Sequence, residues 1–104
     1  MAVKPLKNLA EFNQAIDSPN LSVFDFYATW CGPCKAIAPT IEKFSEQYTD
    51  VAFYKIDIDQ ASELAAEYNI TSMPTFVFGK DGGKLKSVVG ANVDKIKEAV
   101  EEFR

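Results

Sequence analysis

Short apolar runs alternate with amphipathic stretches along this chain. Four runs rich in β-branched and aromatic residues have the length and composition of strands. They cover residues 21–27, 51–58, 75–78 and 85–89, and a shorter strand is predicted near residues 3–6. The run at 21–27 is apolar at nearly every position, which predicts a strand that is buried on both faces of a sheet.

Between the strands, apolar residues recur at the three- and four-residue spacing of helices. A helix over residues 8–16 begins at Asn8, and Glu11 follows three positions later, as in a capping box. A second helix covers about residues 34–48 and contains Pro39, which predicts a kink. Asp59 is the predicted cap of a short third helix that includes residues 64–68. Asn92 is the predicted cap of a fourth helix that reaches residue 103.

This order of elements, βαβαβαββα, predicts the α/β fold class. Strands that alternate with helices pair in parallel, and the last two strands add an antiparallel hairpin at the edge. The length of 104 residues fits one domain, residues 1–104, and the hydrophobic share of 47% is typical of a soluble globular protein.

Composition and charge exclude some classes of partner. A net charge of −4 argues against nucleic acid or an anionic membrane as the main partner. No apolar run approaches the roughly 20 residues that a membrane helix needs. Residues 1–12 lack the apolar segment of a signal peptide and the Arg-rich composition of a transit peptide. We therefore expect a cytoplasmic protein, where thiols are kept reduced.

The two cysteines, Cys31 and Cys34, are separated only by Gly32 and Pro33. A structural disulfide between them would close a very short loop and stabilise the fold little. A structural zinc site usually needs four Cys or His ligands, and the chain has two cysteines and no histidine. A reactive pair fits better, because a Cys-x-x-Cys near a βαβ pattern is typical of a thioredoxin-like redox motif.

The position of the pair suits redox chemistry. Cys31 is predicted at the start of a helix, where unpaired N–H groups and the helix dipole favour a thiolate. Cys34 lies one turn later, so the two sulfurs are close enough to bridge. Pro33 suits an early helical position, and Gly32 leaves room for a substrate backbone to approach.

Several stretches resemble the thioredoxin family. "WCGPCK", residues 30–35, matches the family's active-site motif in full, and the longer stretch "DFYATWCGPCKAIAP" includes its strand Asp and helix Pro. "MPT", residues 73–75, resembles the loop whose proline is cis in the family and faces the cysteines. "VVGAN", residues 88–92, resembles the apolar loop beside the substrate groove. The resemblance covers nearly the whole chain and is greatest to the small cytosolic thioredoxins of fungi.

The resemblance implies a thioredoxin fold, with a central mixed five-stranded sheet flanked by four helices. It implies a general protein-disulfide reductase, an electron carrier in cell redox homeostasis that an NADPH-dependent thioredoxin reductase regenerates. The chain has no Gly-x-Gly-x-x-Gly motif, so we expect no bound cofactor and no metal. The expected targets are disulfide-containing proteins such as peroxiredoxins, methionine sulfoxide reductases and ribonucleotide reductase, and the expected state is a monomer.

Two other functions stay open at this point. One is an oxidase or isomerase of the secretory pathway, although such relatives often have a His between the cysteines, where this chain has Pro33. The other is a binding subunit that holds a partner whatever the state of its cysteines.

We expect Cys31 to attack a substrate disulfide and Cys34 to resolve the mixed disulfide that forms. Because the chain has no histidine, Asp25 is the candidate base for the Cys34 proton: its burial in an apolar strand should raise its pKa. Lys55 is the expected neighbour of Asp25 on an adjacent parallel strand, and the family resemblance supports that pair. The alternative is an ion pair with a purely structural role.

A substrate-binding surface is expected around the cysteines. Trp30 stands next to Cys31, at the edge of a motif that must meet other proteins. A cis Met73–Pro74 bond, as the resemblance implies, would leave backbone groups free to pair with a substrate strand. The full expected set is Trp30, Gly32, Pro33, Met73, Pro74, Val89, Gly90 and Ala91.

One stretch departs from the family pattern. Gly79, Gly82 and Gly83 replace the aromatic and single turn glycine that relatives often carry after the fourth long strand. We expect this hairpin to be more flexible or to turn differently.

Overall fold

The computed structural model describes residues 2–104. Within them, five strands and four helices follow one another in the predicted order. Its strands are β1 (Val3–Pro5), β2 (Ser22–Tyr27), β3 (Ala52–Asp57), β4 (Thr75–Lys80) and β5 (Gly83–Val89). Its helices are α1 (Leu9–Ile16), α2 (Gly32–Gln47), α3 (Ser62–Glu67) and α4 (Val93–Phe103). Within the described residues, none of these helices is both long and apolar enough to cross a membrane.

The strands form one mixed sheet in the order β1-β3-β2-β4-β5. β1, β3 and β2 are parallel, whereas β4 is antiparallel to both β2 and β5. The predicted α/β sheet with an antiparallel hairpin at its edge is thus confirmed. In the central parallel pair, Tyr27 of β2 lies opposite Asp57 of β3, so both strands end at the same edge of the sheet.

Side chains on the sheet alternate between two hydrophobic cores. Val23 of β2 belongs to the core beneath α2 and α4, and its neighbour Phe24 to the core beneath α1 and α3. Strand β2 is buried at five of its six positions, which confirms the prediction of a two-sided buried strand. Asp25 has the same parity as Val23 and therefore faces α2.

Two of the three predicted helix caps are confirmed. Asn8 Oδ1 accepts a hydrogen bond from the Glu11 N–H at 2.9 Å, and Asn92 Oδ1 accepts one from the Lys95 N–H at 3.1 Å. The third prediction was wrong: α3 begins at Ser62, after a cap residue, Ala61, that makes no side-chain cap hydrogen bond. Asp59 lies too far before this helix to cap it, and its carboxylate accepts a hydrogen bond from the Trp30 indole instead.

Several predicted ends also differ from the structure. The second helix begins at Gly32 rather than near residue 34, because Cys31 is its cap residue and Pro33 fits its first turn. The third helix ends at Glu67, one residue before Tyr68. Strands β4 and β5 extend into the predicted glycine turn, to Lys80 and from Gly83.

The hairpin between β4 and β5 turns through two residues only. Asp81 and Gly82 both have positive φ angles, 54° and 85°, which a two-residue type I′ turn requires. The Asp81 N–H donates to the Ser18 carbonyl and the Gly82 N–H to the Ile16 carbonyl, each at 2.9 Å. The turn is therefore attached to the C-terminal end of α1.

Candidate active site

Cys31 and Cys34 form a disulfide at the start of α2, with their Cα atoms 5.3 Å apart. The loop that follows β2 positions the first cysteine. The Cys31 N–H donates to the Ala28 carbonyl at 3.2 Å, and Cys31 is the N-cap residue of α2. Both cysteines are largely buried, at 5% and 4% exposed. The disulfide is therefore nearly buried, and only a small part of the two cysteines is accessible to solvent.

A backbone donor points at the first sulfur. The Cys34 N–H donates to Cys31 Sγ at 3.1 Å. This N–H is one of the unpaired donors at a helix start, where the helix dipole also favours negative charge. In the dithiol form the same contact would stabilise a thiolate on Cys31, since a charged acceptor strengthens a hydrogen bond.

Asp25 is a buried carboxyl group within reach of this region. It is only 7% exposed, and its Oδ1 atom has no hydrogen-bond partner among residues 2–104. Burial raises the pKa of Asp25 to about 7, and the charge of Lys55 opposes that shift in part. A carboxyl group with such a pKa can accept or release a proton near neutral pH.

Lys55 is the direct neighbour of Asp25 in the parallel pair of β2 and β3, as expected. It is half-buried, and among residues 2–104 it forms no ion pair with Asp25. The alternative of a close structural ion pair is therefore not what the structure contains. Lys55 acts on Asp25 through its charge at a longer distance.

A cleft of about 240 Å³ joins Asp25 to Cys34. No hydrogen bond links the two residues directly, but the cleft has room for several water molecules, each of which takes roughly 30 Å³. Sequence reasoning missed most of the walls, although Tyr27 stands two residues after Asp25 and so faces the same way. The residues that line the cleft are Asp25, Tyr27, Ala28, Thr29, Cys34, Lys35, Ala38 and Lys55.

The residues expected to bind substrate surround the disulfide. Met73 packs against the small cluster of Ala28, Cys31 and Cys34, and the Met73–Pro74 bond is cis, as expected. The Gly90 N–H donates to the Pro74 carbonyl at 2.8 Å, which joins the loop that follows β5 to the loop that precedes β4. Val89, Ala91, Gly32 and Pro33 are all exposed.

Trp30 is the most exposed large apolar residue of this surface, at 65%. Its indole Nε1–H donates to Asp59 Oδ2 at 3.0 Å. Sequence reasoning missed this contact because it assigned Asp59 to a helix cap. The available signal was the register of β2 and β3, whose following loops leave the sheet side by side.

The comparisons with known proteins agree with this geometry. The family model described as "Thioredoxin" matches residues 3–102. The chain belongs to the thioredoxin family. Thioredoxin-2 of Saccharomyces cerevisiae is 52% identical to it over 99 residues, which cover 94% of this chain and 95% of that protein. Thioredoxin-1 of Schizosaccharomyces pombe is 47% identical over 98 residues, with the same coverage.

Solved thioredoxin structures share the fold. The thioredoxin of Fasciola hepatica superposes with a TM-score of 0.95 at 40% identity, and the match covers 98% of this chain and all of that one. Another match has a TM-score of 0.93 and 40% identity, over 97% of this chain and 95% of that chain. That chain comes from a study of the structural basis of the thiol resolving mechanism in yeast mitochondrial 1-Cys peroxiredoxin via glutathione/thioredoxin systems.

Family membership and the bridged cysteine pair together define the activity. The protein is a thiol–disulfide oxidoreductase whose redox-active centre is Cys31–Cys34, and it reduces protein disulfides. Within residues 2–104, no group of three or more His, Cys, Asp or Glu side chains is arranged to hold a metal ion.

Proposed function

We propose that this chain carries electrons from an NADPH-dependent thioredoxin reductase to disulfides in target proteins. The reductase supplies two electrons and two protons, which convert the Cys31–Cys34 disulfide to a dithiol. The dithiol then reduces one target disulfide to two thiols and becomes a disulfide again. The observation that carries this proposal is the bridged pair at the start of α2, with a backbone N–H on Cys31 Sγ.

Cys31 is the attacking cysteine. Its thiolate displaces one sulfur of the target disulfide and forms a mixed disulfide, and the displaced sulfur leaves as a thiolate. The Cys34 thiolate then attacks Cys31 Sγ, which releases the second target sulfur. The Cys34 N–H at 3.1 Å from Cys31 Sγ supports this order, because it favours negative charge on the first cysteine.

Asp25 accepts the proton that Cys34 loses before the second attack. Its raised pKa suits a base at neutral pH, and the cleft between the two residues offers a path through one or more water molecules. Lys55 keeps the pKa of Asp25 from rising further, since its positive charge favours the carboxylate. Both residues thus contribute to the second step rather than to the first.

The exposed surface around the disulfide binds an extended segment of the target. Trp30 and Val89, at 65% and 64% exposed, offer apolar contacts on its two sides. Neither the N–H nor the C=O of Met73 bonds to another backbone group within residues 2–104. These two groups are free to pair with a target strand. Gly32, Pro33, Pro74, Gly90 and Ala91 complete the surface.

The proposed targets are peroxiredoxins, methionine sulfoxide reductases and ribonucleotide reductase. The structural match from the peroxiredoxin study supports the first class, since that study concerns a thioredoxin system. The proposed compartment is the cytoplasm, where a reduced dithiol is maintained. A fluorescent fusion of the full coding sequence, imaged in its host cell, tests the compartment, and an organellar signal would contradict it.

Insulin reduction coupled to NADPH consumption tests the electron-transfer proposal. Wild-type protein with a thioredoxin reductase should oxidise about one equivalent of NADPH as its own disulfide is reduced, and should sustain NADPH oxidation only when insulin is present and loses its disulfides. The matched control is the Cys31→Ser, Cys34→Ser double variant, which should be inactive while it keeps the fold. Full activity of that variant would contradict electron transfer through the Cys31–Cys34 pair. No NADPH consumption by wild type would contradict the proposed reductase coupling.

A further inference from the structure

Two loops meet at the carboxyl edge of the sheet, beside the disulfide. β2 and β3 are parallel and in register, with Tyr27 opposite Asp57, so the chain leaves both strands at the same place. Trp30 follows three residues after the end of β2, and Asp59 two residues after the end of β3. The topology thus brings together two residues that are 29 positions apart in the chain.

The loop that carries Asp59 is held by its own hydrogen bonds. The Asp59 N–H donates to Asp57 Oδ1 at 2.9 Å, and the Ala61 N–H donates to the Asp57 carbonyl at 2.9 Å. The Ile58 N–H donates to the Tyr27 carbonyl at 3.0 Å, which ties this loop to β2. Asp59 therefore presents its carboxylate from a fixed backbone.

The carboxylate of Asp59 holds an otherwise free side chain. Trp30 is 65% exposed, so packing alone does not fix its ring. An indole N–H is donor only, and here it donates to Asp59 Oδ2 at 3.0 Å. A charged acceptor makes this a stronger hydrogen bond than a neutral one would be. The bond selects one orientation of the ring next to Cys31.

We propose that Asp59 is a positioning residue that fixes the Trp30 indole for polypeptide substrates. This inference rests on the proposed place of Trp30 in the substrate-binding surface. A ring that is ordered in advance spares the substrate the entropic cost of ordering it on binding. A polypeptide disulfide, which must lie across the surface, benefits from the fixed ring more than a small disulfide that needs only the sulfur atoms.

Single-turnover reduction by the pre-reduced protein measures this effect. The substrates are insulin and 2-hydroxyethyl disulfide, which is small and uncharged. Asp59→Ala should lower the rate with insulin about three- to tenfold more than the rate with the small disulfide, through a higher half-saturating insulin concentration rather than a lower maximal single-turnover rate. Asp59→Asn keeps an acceptor oxygen and should restore most of the difference. Glu46→Ala, which removes an exposed carboxylate from α2, should match wild type.

A double-mutant cycle separates positioning from charge. Trp30→Phe keeps an aromatic ring but removes the N–H donor, so Asp59→Ala should have no further effect in that background. An equal loss with and without the indole N–H would mean that Asp59 acts on the substrate through its charge, and would overturn the inference. Wild-type rates for both single variants would overturn it as well.

The fluorescence of Trp30 tests the same inference without any substrate. Trp30 is the only tryptophan in the chain, so time-resolved anisotropy reports its ring alone. In wild type the anisotropy should decay with the tumbling of the whole protein, and Asp59→Ala should add a fast component. An unchanged decay would overturn the inference. Failure of wild type to reduce insulin would instead count against the proposed function and leave the anisotropy result standing.

Discussion

At the scale of single residues, the surroundings of Asp25 decide what it can do. Its strand is buried at five of six positions, and Asp25 itself is 7% exposed, with one carboxylate oxygen that has no hydrogen-bond partner in residues 2–104. Lys55, its neighbour in the sheet, reduces the cost of the charge without forming an ion pair. The result is a carboxyl group that titrates near neutral pH. Asp59, which is exposed, serves as a hydrogen-bond acceptor instead.

Asp25→Ala should change how stability depends on pH. In wild type the pKa of Asp25 is about 7, against an ordinary value of 3.8. The folded state therefore holds its proton more tightly, and the unfolding free energy falls as pH rises between these values. The difference corresponds to about 4 kcal/mol. Relative to wild type, the unfolding free energy of the variant should rise by up to about 4 kcal/mol between pH 4 and pH 8.

Urea unfolding of the oxidised proteins at pH 4, 6 and 8 measures this gain. Glu46→Ala, which removes an exposed carboxylate, is the matched control and should follow wild type at each pH. A constant difference between Asp25→Ala and wild type over this range would show that folding does not raise the pKa of Asp25.

Asp25→Asn should slow the second chemical step. The amide has nearly the shape of the carboxyl group but cannot accept the Cys34 proton. The mixed disulfide on Cys31 should therefore persist roughly tenfold longer at pH 7, less than the loss of a base often causes because water also reaches the cleft. Rapid acid quench and mass spectrometry measure its lifetime against pH. Wild-type lifetimes and an unchanged pH profile would contradict the role of Asp25 as a base.

At the scale of elements, strand direction explains how distant residues form one site. The parallel strands β2 and β3 both end at the edge where the disulfide lies. β4 runs the other way and so begins at that edge, with Thr75 opposite Phe26. β5 returns and ends there, with Val89 opposite Thr75. Loops from four strands thus meet around the cysteines.

Gly79 in β4 should tolerate no side chain, whereas Gly83 should. A Cβ atom at Gly79 would lie 2.6 Å from Ile16 Cδ1 and 2.8 Å from the Gly83 carbonyl oxygen. Gly79→Ala should therefore lower the unfolding free energy by about 1–3 kcal/mol. A Cβ atom at Gly83 meets nothing within 4 Å. Gly83→Ala should unfold like wild type or be slightly more stable.

Chemical denaturation of the two alanine variants measures this contrast. The turn at Asp81–Gly82 stays the same in both, so the difference reports the crowding of Gly79 by Ile16 of α1 and by the Gly83 carbonyl. Equal stability of the two variants would mean that Ile16 and the Gly83 backbone both move aside at little cost.

At the scale of the whole molecule, the sheet separates two cores and leaves the chemistry at one edge. Within residues 2–104, fifteen buried residues form the core beneath α2 and α4, and eight form the core beneath α1 and α3. The cysteines belong to a small third cluster with Ala28. The redox site can therefore change its bonding without disturbing either large core.

The protein should be a monomer in both redox states. Among residues 2–104, Trp30 and Val89 are the large apolar residues exposed on the substrate-binding surface, whereas a stable dimer buries about 800 Å² per partner. Sedimentation equilibrium should give 11.5 kDa for the oxidised and reduced forms at micromolar concentration. A mass near twice that value, abolished by Trp30→Ala, would show that the substrate-binding surface pairs with itself.

The sequence predicted the layers, the order of elements and the cysteine chemistry. The hydrophobic periodicity was enough to predict the layers and the order of elements. The Cys-x-x-Cys motif was enough to predict the redox chemistry of the cysteines. The prediction failed where a residue had two possible hydrogen-bond partners. Asp59 is a residue type that caps helices and stands shortly before one, but the register of β2 and β3 places its carboxylate beside the Trp30 indole instead. The cleft residue Tyr27 was missed because a wall forms only when α2 packs on β2.

The most direct test of the mechanism is to trap its intermediate. Cys34→Ser and Cys31→Ser proteins are mixed with a disulfide-containing target, and the products are mapped by mass spectrometry. Cys34→Ser should accumulate a stable mixed disulfide between Cys31 and the target, and Cys31→Ser should form any adduct much more slowly. Rapid adduct formation through Cys34 in Cys31→Ser, or wild-type turnover by Cys34→Ser, would contradict this mechanism.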